Sequence, residues 1–303
     1  MSWKDVLSLV FFFVVIGLLL FYWFIPLDKV EFMGSGPTNS NFTLNSSTEG
    51  NMQFYKNMRY PEDRISYRIE NCPLQKADDM KGAFDRIENL TILDFYPVSQ
   101  SEEILVTCDS KAKFDGKFFI AGEGGPINIT EAGDFNVIHQ GGIVLLRDST
   151  CENPNVAIHE LLHALGFDHS TNPNNIMYAV SKCNQEIGQD TLDFIDEIYS
   201  IQSLPDLSFE NASASMKGRY LDVIMTVRND GLQDSGKAKV IVYADNKSVK
   251  ELDIGEMAIG SGRFISLTNI LVLQTSVSEL RLLIDYNSEE LKKENNLIVL
   301  EIK

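Results

Sequence analysis

Three of the chain's four histidines fall within eleven consecutive residues, His159, His163 and His169, and this spacing limits the possible folds more than any other feature. Asn153-Pro154 supplies an N-cap and a first-turn proline, and Ile158, Leu161, Leu162 and Leu165 recur at helical spacing, so the segment reads as an amphipathic helix docked on a core. At ~100° per residue, His159 and His163 stand within ~40° of each other and one turn apart, so both imidazoles can reach one ion. Glu160 projects just beyond them, close enough to orient water there but poorly aimed to be a ligand. Gly166 permits a positive φ, which lets the chain leave the helix and turn back to bring His169 to the same point. Three imidazoles with a fourth position open suit a catalytic metal, whereas a structural zinc site usually closes all four positions with Cys or His.

The string H-E-x-x-H-x-x-G-x-x-H, followed by Ser170 and by Asn175-Ile176-Met177-Tyr178, resembles the metzincin zinc peptidases and most closely the matrixins. In that family a methionine forms a turn beneath the metal, and Met177 stands at its position. The likeness covers roughly residues 58–203, with MRYPEDRISYRI similar to a matrixin first strand and 185–201 to the family's last helix. It implies an α+β catalytic domain: a twisted, mostly parallel five-stranded sheet, an antiparallel edge strand within 122–129 over the cleft, and a smaller lower subdomain after Gly166. It also implies one catalytic Zn2+ on His159, His163 and His169, with Glu160 as the base that takes a proton from water and delivers it to the leaving amine. Protein or peptide substrates would pair with the edge strand. On this fold Cys72 and Cys108 end neighbouring strands, so the bridges expected are Cys72 to Cys108 and Cys151 to Cys183, with free buried thiols as the other reading.

The chain departs from the family pattern in several places. It has no PRCGxPD-like cysteine switch, and His139 stands alone where many matrixins have histidines for a second, structural zinc. Tyr178 follows Met177 directly and does not match the metal-binding tyrosine of astacin-like relatives, and Asp168 reads as structural. No motif addresses calcium.

Along the rest of the chain, ISYRI (65–69), ILDFYPV (92–98), EILVTC (103–108) and VIHQGGIVLL (137–146) read as strands. Residues 74–90 read as a helix with Met80, Ala83, Phe84 and Ile87 on one face. From 204 to 303 β-type runs alternate with turn signals, and in 220–228 Leu221, Val223, Met225 and Val227 face one way, as in an immunoglobulin-like sandwich. VRNDG (227–231) and DYNSEELKKENN (285–296) resemble CARDB-type modules of bacterial and archaeal surface proteins, which implies an adhesion, spacer or substrate-presenting role with a surface protein or glycan as partner.

No charged residue interrupts 6–27, and 22 helical residues rise ~33 Å, enough for a bilayer core of ~30 Å. The run lacks a small-residue cleavage site, so it reads as a signal anchor preceded by a short cytoplasmic end at 1–5. Residues 28–57 read as a flexible stalk, since 34–50 is rich in Gly, Ser, Thr and Asn. Six Asn-x-Ser/Thr sequons, at Asn41, Asn45, Asn89, Asn128, Asn211 and Asn246, favour an outward-facing catalytic domain on a single-pass membrane protein. The net charge of -17 repels phosphate backbones and excludes nucleic acid as a partner. The function expected is a membrane-anchored zinc endopeptidase acting on extracellular or envelope proteins; the other reading is an adhesion protein whose metal domain no longer cleaves.

Overall fold

The computed structural model describes residues 3–22, 28–33, 52–110, 113–115, 118–147, 151–274 and 276–301. Helix α1 (Trp3–Tyr22) and strand β1 (Asp28–Met33) precede a mixed unit of β2 (Met58–Arg59), β3 (Arg64–Glu70), α2 (Leu74–Glu88), β4 (Asp94–Pro97), β5 (Ile104–Cys108), β6 (Lys113–Asp115), β7 (Phe118–Ile120), β8 (Gly122–Ala132), β9 (Phe135–Leu145), α3 (Asn155–Ala164) and α4 (Gln189–Tyr199). Strands β2, β9, β5, β3 and β4 lie in that order, all parallel, and β8 runs antiparallel along β9 as an edge. The sheet therefore has six strands rather than five, because the two-residue β2 joins β9 beside β5.

The periodicity of α2 explains its docking: Met80, Ala83, Phe84 and Ile87 are all buried and share one core with Ile158, Leu161, Leu162 and Leu165 of α3. Two disulfides tie this unit together. One joins Cys72, just before α2, to Cys108 at the end of β5, with a Cα–Cα distance of 4.9 Å; the other joins Cys151, ahead of α3, to Cys183, at 5.2 Å.

A buried cation closes the unit. The Arg59 guanidinium donates to the carbonyls of Tyr60 (2.9 Å), Ile198 (2.6 Å), Ile201 (2.9 Å) and Pro61 (2.9 Å), and lies over the Tyr199 ring. The Tyr199 hydroxyl in turn accepts from the Tyr60 N–H at 3.0 Å. Strand β2 and the last helix are thus joined by a group whose fixed N–H donors match a ring of main-chain carbonyls.

The C-terminal unit is a sandwich of two antiparallel sheets, formed by β10 (Leu207–Lys217), β11 (Tyr220–Asn229), β12 (Ser235–Ala244), β13 (Lys247–Met257), β14 (Gly262–Leu271), β15 (Leu280–Asp285) and β16 (Leu297–Leu300). Leu221, Val223, Met225 and Val227 are buried between the sheets, as their alternation requires.

The N-terminal region is described in part, and one expectation for it needs correction. Helix α1, Trp3–Tyr22, contains most of the expected apolar span. Among the described residues no helix is long and apolar enough to cross a membrane, and residues 23–27 of the expected span lie outside them. The expected stalk is not uniformly free chain. Strand β1 pairs antiparallel with β14, from Asp28 opposite Leu267 to Met33 opposite Gly262, and covers an edge of the sandwich. Residues 52–58 pack on the mixed unit, where Gln53 is buried and exchanges hydrogen bonds with the Met58 carbonyl (2.7 Å) and N–H (2.8 Å). The intervening 34–51 lies outside the described residues.

Replacing Arg59 by Met should strand the carbonyls of Ile198 and Ile201 without a buried donor. The expected cost is about 3 kcal/mol or more, seen in calorimetry as a Tm lower by roughly 6–12 °C for a unit of this size.

Candidate metal centre

Helix α3 starts after Pro154 and carries His159 and His163 on one face. Gly166, at φ +96°, then reverses the chain; a Cβ there would sit 2.7 Å from the Met58 Cβ, so both the conformation and the space demand glycine. The reversal brings His169 back, and the three imidazoles offer ligand atoms all within 4.8 Å of one another. His163 Nε2 and His169 Nε2 are 3.2 Å apart.

The orientation of two of the rings is set by main-chain carbonyls. His159 Nδ1 faces the Ile176 carbonyl at 2.6 Å and His163 Nδ1 faces the Phe167 carbonyl at 2.7 Å. A carbonyl only accepts, so Nδ1 carries the proton and the Nε2 lone pairs point into the cluster. Burial, with the Ile176 hydrogen bond opposing it and His169 adding to it, lowers His159 to about 4. Burial, then the neighbouring His159, lowers His163 to about 3. His169 is lowered by burial and partly restored by Asp168, whose carboxylate accepts from the His169 N–H at 2.7 Å. Neutral imidazoles converging in this way are a donor set suited to Zn2+, and the residues present fit that ion.

Met177 is buried in the same core as α3. Its own N–H donates to Asn175 Oδ1 at 2.8 Å, its carbonyl accepts from Ser170 N–H at 2.8 Å, and the carbonyl before it is the one that holds His159. The turn therefore positions the first ligand directly. His139 lies on β9 and lines a cleft with Thr130 and Asp234, away from the other three histidines.

Glu160 is 5% exposed, and burial, with the Glu123 carboxylate adding, pushes its pKa up to about 8. Its cover is strand β8. A Cβ at Gly122 would meet the Glu160 side chain at 2.6 Å, and one at Gly124 would meet the Glu160 carbonyl at 2.2 Å. Only glycine lets the edge strand lie this close to the helix. The signal was present in the sequence as GEGG (122–125), a glycine run within the expected edge strand.

Two further features shape the surroundings; of these the Cys151 to Cys183 bridge was expected from the sequence and the packing of Phe54 was not. Phe54, within the expected stalk, stacks on His163 with ring centroids 5.6 Å apart, and the main chain at Met52 and Phe54 bonds to Asp168 and Gly166. The loop after Met177 is pinned by the bridge to Cys151, by Asn155 Nδ2 on the Lys182 carbonyl (2.8 Å), and by the buried Gln185 amide on the Val180 carbonyl (3.0 Å).

Residues 58–204 match the family model of the matrixins, and residues 204–299 match that of CARDB. Among solved structures, the chain is similar to the crystal structure of a CARDB domain from Pyrococcus furiosus in complex with di-metal ions, at 16% identity and a TM-score of 0.27, covering 33% of this chain and 90% of that one. No curated protein matches.

Chelation should lower the Tm of the zinc-loaded protein by roughly 8 °C or more, the scale expected for loss of a ligand held at about a thousand times its Kd. In the same calorimetry His163→Ala should no longer respond to zinc, with elemental analysis giving a substoichiometric metal content.

Proposed function

Residues 58–204 form a matrixin-type domain with a CARDB domain behind it, and from that premise we propose that the protein is a zinc-dependent endopeptidase that hydrolyses peptide bonds of extracellular or envelope proteins. The observation that carries this reading is the set of three imidazoles beside a buried Glu160, under an edge strand whose other side is open. Among the described residues β8 pairs with β9 alone, so its free N–H and C=O groups can receive an extended substrate chain.

His159, His163 and His169 would hold one Zn2+, which when bound would supply Lewis-acid activation of water and of the scissile carbonyl. Glu160 is ionised when a dication is near, because positive charge favours the carboxylate against the burial that raises it in the metal-free site. Its carboxylate takes the proton of the attacking water and passes it to the nitrogen of the leaving amine. Gly122 and Gly124 keep the substrate-bearing edge close to that carboxylate. The loop 178–186, held in place by the bridge between Cys151 and Cys183, forms the wall that selects the substrate side chain.

The proposal also places the enzyme on the outer face of a membrane, anchored through the apolar run 6–27. Supporting this are the exposed Phe11, Phe12 and Phe13 of α1 and the two disulfides, which persist in oxidising compartments.

Glu160→Gln keeps the size of the side chain and removes the base. The variant should still bind one zinc per chain by elemental analysis, while kcat on a quenched peptide library falls at least about 100-fold. Equal cleavage by wild type and variant would refute the assigned role.

A further inference from the structure

Both sequence stretches that mark the C-terminal domain, 227–231 and 285–296, meet at its junction with the peptidase unit. Asn229, 0% exposed, is a four-way tie: its Oδ1 accepts from the N–H groups of Asp206 and Gly231, both at 3.1 Å, and its Nδ2 donates to the carbonyls of Gln233 (2.7 Å) and Met257 (3.0 Å). From the second stretch, Glu290 accepts from the Leu207 N–H at 2.9 Å, the Leu291 N–H donates to the Pro205 carbonyl at 3.0 Å, and Asn295 Nδ2 donates to Asp206 Oδ1 at 2.8 Å. These bonds fix the loop 230–233 in one shape.

That loop faces the turn between β8 and β9. Leu232 is fully buried yet lies outside the sandwich core; it packs with Ala132, Phe135 and Val137 of the peptidase unit, with Ile259 and Leu291 at the margin. The backbones also approach closely. A Cβ on Gly133 (φ +55°) would lie 2.9 Å from the Asp230 carbonyl oxygen, and one on Gly260 (φ +66°) would lie 2.4 Å from Thr130 Cγ2. Gln233 Nε2 adds a hydrogen bond of 2.9 Å to Glu62.

Strand β8 needs such a hold. Its first half contains Gly122, Gly124, Gly125 and Pro126, which contribute little packing and, at Pro126, no ladder donor. Its register with β9 is broken between Pro126 and Asn128 and again between Asn128 and Ile129. One end of this weak strand lies on Glu160 and the other is held by Leu232. We propose that the CARDB domain is an intramolecular positioning domain, whose 230–233 loop grips the β8–β9 turn through Leu232 and thereby sets the β8 edge over Glu160 for an extended substrate. The proposal rests on the peptidase reading, but the grip can be measured without it.

The test compares the full chain with Leu232→Asp and Phe135→Ala, changes that leave the sandwich core and the metal ligands untouched. Amide exchange across β8 should quicken by about tenfold or more, and kcat/KM for an eight-residue quenched peptide should fall by a similar factor, mainly through KM. Zinc content should stay at one per chain and the β11 amides should remain protected. Unchanged β8 exchange in both variants, with β11 still protected, would overturn the proposal. If wild type cleaves nothing, the peptidase reading fails while the exchange result still decides the grip. Should the aspartate variant not fold, Leu232→Ala removes the same contact without burying a charge.

Discussion

Two main-chain carbonyls govern the metal cluster. Those of Ile176 and Phe167 each accept an imidazole Nδ1 proton, and in doing so they fix the tautomer and aim of His159 and His163. Both carbonyls sit where the chain changes direction, one beside Met177 and one just after Gly166. The turns therefore do more than return the chain to the site; they supply the groups that orient it. This is also why the packing beneath them matters. Met177 is buried in the core that α3 shares, Phe54 stacks on His163, and the main chain of 52–54 runs beside 166–168 and locks the reversal in place.

Glycine plays a second role across the cleft. Gly122 and Gly124 bring β8 down onto Glu160, which desolvates the carboxylate and raises its pKa. The same lack of side chains weakens the strand that performs this function. A strand rich in Gly and Pro, with two register breaks, depends on contacts at its ends. One of those ends reaches the other domain. The loop bearing the VRNDG sequence, tied by Asn229, is built to make that contact, which gives the C-terminal domain a physical connection to the cleft 70 residues and more away in sequence.

Much of the architecture was legible because it follows from short-range periodicity. The face of α2, the inward set of β11 and the reversal at Gly166 follow from spacings of 3.6 and 2 residues and from the conformational freedom of glycine, and the structure has each of them. The segment ahead of the mixed unit was less legible. Residues 28–57 look like stalk by composition, yet β1 completes a sheet whose other strands lie more than 170 residues further along, and Phe54 stacks on His163. No local pattern in 28–57 encodes either contact. The apolar run at 6–27 is clear in the sequence, and α1 covers its described part as far as Tyr22.

The sequence by itself determined the three histidines that cluster, the glutamate beside them and the helical face that carries two of those histidines, because those depend on residue type and on a rise and turn that every α-helix shares. Tertiary structure alone decided the rest: which carbonyls orient the imidazoles, how closely β8 covers Glu160, how Arg59 closes the unit, and where the second domain takes hold. Those features join residues far apart in the chain, and a buried hydrogen bond or close contact between distant segments leaves no spacing rule in either of them.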